Sequence, residues 1–123
     1  MHLSKSEEQL MEFIWQGKRM FMKELIEMYP EPKPASTTVA TLLKRMQEKG
    51  VIAYKLYGNS REYYPLVSKT DYFSKYLHGL IKNFFNSSPL QFASFFTSKT
   101  NLSSEELEEL RNIIDTEIQN KKK

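Results

Sequence analysis

The chain has 123 residues, 40% of them apolar and 13% aromatic, enough for one ordinary domain, or a small domain with an assembly arm, and too apolar for a disordered chain. It holds no cysteine and two isolated histidines, His2 and His78, which excludes disulfides, thiolate metal sites and a histidine cluster, so no cofactor is expected. The net charge of +3 is uneven: residues 1–70 carry eleven Lys/Arg against eight Asp/Glu, and residues 71–123 carry seven of each.

Within residues 33–61 the cations are Lys33, Lys44, Arg45, Lys49, Lys55 and Arg61, and the only acid is Glu48. Such a stripe is either a footprint for nucleic acid or an ordinary solvated face. The apolar runs are only a few residues long and no secretory h-region is visible, so a cytoplasmic location without membrane insertion is expected.

Taken in chain order, Ser4 precedes Glu7 by the spacing of a capping box, and Leu10, Met11 and Ile14 follow on one helical face that Gly17 ends. A second helix is predicted in "FMKELIEMYP", presenting Met22, Leu25, Ile26 and Tyr29 and stopping at Pro30. "EPKPAS" is a stiff loop, after which Ser36 can cap a third helix and Gly50 fits the position past its end. That third helix puts Val39, Leu42, Leu43 and Met46 on an apolar stripe. Thr37, Thr41, Lys44 and Glu48 share the opposite face, with Thr38 and Arg45 on its flank.

After Gly50 the period changes. "VIAYKLY" and "REYYPL" read as strands around "GNS", with Pro65 demoting the second to an edge. Helix, helix, helix, hairpin is the layout of a winged helix-turn-helix, mainly α with a small β wing. In that layout the third helix lays its polar face in the major groove of DNA. Threonine can meet a base edge through its hydroxyl or a thymine through its methyl, and Lys and Arg reach guanine or phosphate. Lys55, Asn59 and Arg61 on the hairpin are placed for flanking contacts.

The remainder is helical. Ser68 and Asp71 suggest a cap, and Phe73, Tyr76, Leu77, Leu80, Ile81 and Phe84 form a wide apolar face up to "NSSP". A short segment with Leu90, Phe92, Phe95 and Phe96 leads into polar "TSKTN". Ser103 and Glu106 then open a last helix striped by Leu107, Leu110, Ile114 and Ile118. The boundaries read as 1–68 for a winged-helix DNA-binding domain and 69–123 for a helical dimerisation region. Either these helices complete a core on their own wing, or they bury Phe73, Leu77, Leu80, Phe84, Leu107, Leu110 and Ile114 against a second copy.

Trp15 is expected in the core, most of the hairpin tyrosines (Tyr54, Tyr57, Tyr63 and Tyr64) to pack on the helices rather than form a stacking surface, and His78 to be a satisfied structural histidine. Glu105–Glu106 and Glu108–Glu109 are acids at a helix start, where the dipole favours them. With no nucleophile elbow and no Gly-rich phosphate loop, no enzyme is expected.

The stretch "TVATLLKRMQEKGVIAYKLYGNSREYYPLVSKTDY" resembles the penicillinase repressors, bacterial regulators of β-lactamase and methicillin-resistance genes, and "LSSEELEELRNIID" is similar to their C-terminal helix. The resemblance implies a homodimeric winged-helix repressor on a palindromic double-stranded DNA operator. It places Thr37, Thr38, Ala40 and Thr41 at base-reading positions and Lys44 and Arg45 near the backbone. The candidate DNA-binding set is therefore Ser36, Thr37, Thr38, Ala40, Thr41, Lys44, Arg45, Lys55, Asn59 and Arg61. Ala40 stands where some members carry Arg, and Thr37 where they carry Lys, so their operator sequence does not transfer.

Members that sense antibiotics are cut by a membrane metallopeptidase at an Asn-Phe bond. The position counted back from "NLSSEELEELRN" is Phe95–Phe96, whereas an Asn-Phe pair occurs one helix earlier at Asn83–Phe84. The copper-sensing branch uses C-terminal cysteines, which this chain lacks. Two other classes fit the pattern: a regulator with an effector pocket around Phe73, Phe84 and Phe95, and a winged-helix protein-interaction module that does not touch DNA.

Overall fold

Ser4 accepts the backbone N–H of Glu7, and Glu7 returns a carboxylate oxygen to the Ser4 N–H at 2.7 Å, so the expected capping box opens α1 (Lys5–Gly17). These contacts belong to a computed structural model that describes residues 2–123. Leu10, Met11 and Ile14 are fully buried along one face of α1. Gly17 is the helix's last residue, and the left-handed φ of 67° falls on Lys18 instead. A Cβ at Gly17 would stand 2.1 Å from Sδ of Met20, so a larger residue there would have to displace that side chain.

The chain then does something the apolar pattern hid. Met20–Phe21 is a short strand, β1, before α2 (Met22–Glu27), which is shorter than the predicted helix. α3 (Ser36–Glu48) follows, with Gly50 beyond its C-terminus at φ +78° as expected. Ser36 does not cap α3. Ala35 holds the extended cap position, its carbonyl accepting from Thr38 and Val39, so Ser36 is already in the first turn.

β2 (Ile52–Tyr57) and β3 (Ser60–Pro65) form the hairpin in the register Tyr57↔Ser60, leaving a two-residue turn of Gly58 and Asn59. Only Gly58 of the pair has positive φ, the demand of a type II′ turn. Strand order is β1-β3-β2, so β3 is central rather than an edge. Pro65 is tolerated because β1 pairs with β3 only at Tyr63 and Glu62, short of the proline. The helices pack on this sheet through Leu3, Leu25, Val39, Leu43, Met46, Val51, Ile52 and Tyr63, a winged-helix arrangement. Trp15 is half-buried at its margin and donates from Nε1 to the Val67 carbonyl at 2.9 Å.

Three further helices follow: α4 (Lys69–Phe84), α5 (Pro89–Lys99) and α6 (Ser104–Lys121). Ser68 accepts the Asp71 N–H, Ser88 that of Gln91, and Ser103 with Glu106 closes a second capping box. α5 runs through most of the predicted polar loop. The chain divides into two compact units, Met1–Tyr76 and Leu77–Lys123. Among the described residues no helix is long and apolar enough to cross a membrane.

One ion pair in the first unit was not legible as such. The Glu7 carboxylate is 2% exposed and lies 2.6 Å from Nζ of Lys49, which also donates to the His2 carbonyl. Burial alone pushes the Glu7 carboxyl up, but the Lys49 ammonium and the Ser4 bonds outweigh it and hold it below the usual carboxylate range. A lowered carboxyl stabilises the fold above its ordinary pKa, and that contribution is lost as pH falls through the lowered value. Replacing Lys49 with Met should strand a buried carboxylate and cost about 1–3 kcal/mol in urea unfolding at neutral pH. The deficit should shrink as pH falls through the lowered value of the paired carboxyl, below which Glu7 is protonated in both proteins.

Candidate nucleic-acid interface

α3 is anchored by Val39, Leu43 and Met46, each 0% exposed, with Leu42 half-buried beside them. Its other side is free of the fold: Ser36, Thr37, Thr38, Ala40, Thr41, Lys44 and Arg45 are all exposed. Threonines on this face are not equivalent. Thr41 donates from Oγ1 to the Thr37 carbonyl at 2.9 Å. The carbonyls four residues before Thr37 and Thr38 precede the helix, and among the described residues those two hydroxyls have no hydrogen-bond partner.

The wing contributes less evenly than its sequence suggests. In the β2–β3 register Lys55 faces Glu62 and Arg61 faces Leu56, so Lys55 and Arg61 stand on opposite faces of the ribbon. Arg61 shares its face with the buried Tyr63 and packs its guanidinium 4.4 Å from the Tyr54 ring centre. The Tyr63 hydroxyl first, and then Tyr54, favour its charged form. Lys55 lies 5.5 Å from the Tyr57 ring centre, and Arg19 approaches Glu62 at 3.8 Å. Tyr57 is exposed, and Tyr54 and Tyr64 are half-buried, so Tyr63 alone of the four is fully in the core.

Arg61, Asn59 and Ser60 meet Ala40 of α3 and Phe21, Met22 and Lys23 around a cleft of about 420 Å³. The fold thus brings Arg61 and Asn59 to α3 and leaves Lys55 on the other face. Lys23 joins them unforeseen, because its position depends on the strand–helix junction at Phe21, which no apolar period announces. Two cations of the sequence stripe are engaged elsewhere. Lys49 is held by Glu7, and Lys33 donates to the carbonyls of Glu27 and Tyr29, closing the proline loop, where desolvation pushes the half-buried Tyr29 up.

In the first unit Phe73, 45% exposed, sits against Trp15 and Tyr72. The Tyr72 hydroxyl donates to Glu8 and accepts from the Leu3 N–H; burial raises its pKa first, and Glu8 adds to the effect. In the second unit Leu77, Phe84, Leu107 and Ile114 are exposed, Phe84 by 77%, while Leu80 and Leu110 are half-buried. His78, expected as a satisfied structural histidine, is exposed. Phe84 and Phe95 line an apolar cavity of about 450 Å³ with Leu80, Phe85, Phe92, Phe96 and Thr100; Phe73 is not among its walls. Phe95 and Phe96 are consecutive residues within α5.

The family model described as penicillinase repressor matches residues 3–116. The chain is 34% identical to the methicillin resistance regulatory protein MecI of Staphylococcus aureus over 118 residues, covering 92% of this chain and 93% of that protein. It is 33% identical to the protein of the same name from Mammaliicoccus sciuri over the same shares. It is 28% identical to the penicillinase repressor of Bacillus licheniformis over 122 residues, 98% of this chain and 94% of that one.

Proposed function

The chain belongs to the penicillinase repressor family, whose named relatives are regulators and not enzymes, and from that premise we propose that it represses transcription as a homodimer bound to a palindromic operator. The observation that carries this reading is α3: an apolar back locked in the core and an outer face of Thr37, Thr38, Thr41, Lys44 and Arg45 left to solvent. Base contacts fall to that face, and phosphate contacts to Lys44, Arg45, Arg61 and Asn59. Lys55, on the far ribbon face, is the weakest member of the set.

The second unit supports dimerisation. Among its described residues none is buried, and Leu77, Phe84, Leu107, Ile113, Ile114 and Ile118 are all exposed. Apolar surface of this extent on one chain favours a partner, and a second copy supplies the two-fold symmetry a palindrome needs. Relief by a membrane metallopeptidase cutting Phe95–Phe96 is part of the same reading. That bond is helical, and α5 would open before a protease could take it in extended form; with no buried side chain α5 resists opening little.

The test is fluorescence anisotropy and footprinting on DNA from the protein's own promoter, against scrambled DNA, over a salt series. A protected inverted repeat with a steep loss of affinity in salt supports the reading; equal binding to both DNAs overturns it. Lys44→Ala should weaken binding to every sequence and make the salt slope shallower by about one per subunit. Ile114→Asp should yield a folded monomer by sedimentation, and its operator affinity should fall roughly 100-fold through the loss of bivalent binding.

A further inference from the structure

We infer that Thr41 reads its base through its methyl group and not through its hydroxyl, so that it selects thymine at its position in each half-site. This inference rests on the operator-binding reading of α3. Three threonines stand on that face, and the helix itself divides them. A helical threonine can turn its hydroxyl back on the carbonyl four residues earlier, which uses its single proton within the helix. Thr41 is the one of the three with a helical carbonyl in reach, that of Thr37, and it makes the bond at 2.9 Å.

The consequence is chemical. Guanine N7 and O6, adenine N7 and thymine O4 are acceptors in the major groove and need a donor. With its proton held by Thr37, Thr41 has none to offer. What it retains toward the groove is a methyl, suited to the 5-methyl of thymine, and an oxygen that can only accept. Thr37 and Thr38, in the first turn, keep their hydroxyl protons for base edges or phosphates. Ala40, beside them on the helix and exposed, adds a second methyl to the face and no polar atom. The same bond ties the Thr41 side chain to its own backbone, so the methyl is presented in one rotamer and little freedom is lost on docking.

The test uses the full-length protein and a duplex spanning the footprinted inverted repeat. Each thymine is replaced in turn, symmetrically in both half-sites, by deoxyuridine, which lacks only the methyl. One position should weaken wild-type binding by about fourfold per half-site, the worth of one buried methyl. Thr41→Val, which keeps the methyl and drops the hydroxyl, should bind within about twofold of wild type and retain that sensitivity. Thr41→Ser, which keeps the hydroxyl, should bind about fourfold more weakly per half-site and become indifferent to deoxyuridine at that position. Thr41 is exposed, so both variants should melt with the wild type, and circular dichroism verifies this. If Thr41→Ser binds as wild type while Thr41→Val loses affinity, the hydroxyl is the reader and the inference is overturned. If wild type is indifferent to deoxyuridine at every position, it is overturned as well, with operator binding intact. Absence of any footprint would overturn the operator reading itself, and this inference with it.

Discussion

Each residue of an α-helix is turned about 100° from the last, so a one-residue roll of α3 would carry Leu43 outward and bring Thr38 toward the core. Everything proposed for the polar face depends on that roll being forbidden. Val39, Leu43 and Met46 forbid it by burial, since each would have to leave a closed core. The Glu7–Lys49 pair adds a directional constraint at the helix's C-terminal end. Apolar packing sets which stripe points in but tolerates sliding; an ammonium 2.6 Å from a carboxylate on another helix does not. Glu7 is itself fixed by the box with Ser4, so the start of α1 and the end of α3 are held by one carboxylate. Buried pairs of this kind contribute little net stability. What this one does is tie the C-terminal end of α3, and so the orientation of its polar face, to α1.

Period and punctuation made most of this fold legible. The boxes at Ser4 and Ser103, the stripe of α3, Gly50 and the hairpin around Gly58 are local features, in which nearby residues determine nearby geometry. What was missed is nonlocal. β1 is two residues long and exists because β3 lies beside it, which nothing in "RMFMKEL" declares. With β1 missed, β3 read as an edge, and Lys23 stayed outside the candidate site. Ser36 misled for the opposite reason: its type suits a cap, but Ala35, whose side chain cannot cap, holds the position because the chain leaving Pro34 turns one residue earlier.

Side-chain partners were legible least of all. Lys33 and Lys49 counted toward a basic stripe because a sequence shows charge without direction, and the fold turns both inward, onto two carbonyls in one case and a buried carboxylate in the other. Lys55 and Arg61 looked equivalent as cations flanking one turn. The two-residue connection, one shorter than "GNS" implied, sets the register that puts them on opposite faces. In the second unit the apolar stripes were found correctly, but a stripe names no partner. His78, expected as a satisfied structural histidine, is exposed on a unit with no buried side chain.

Under the proposed operator-binding role, removing Lys33 and Lys49 from the stripe changes what kind of DNA reader the surface can be. The face keeps Lys44 and Arg45 on the helix and Arg61 and Lys23 across the cleft, with Ala40 between them. Few cations near the groove mean few phosphates neutralised, and nonspecific affinity rises with that number. A surface of modest charge and many small side chains must draw more of its selectivity from base edges and methyls, and from two heads acting together. The exposed apolar stripes beyond residue 76 and the threonine-rich face of α3 are then linked requirements. A single head of this composition would bind too weakly to find an operator, and a dimer with a strongly basic face would bind everywhere. In the proposed homodimer, modest charge on each head, doubled by symmetry, satisfies both limits.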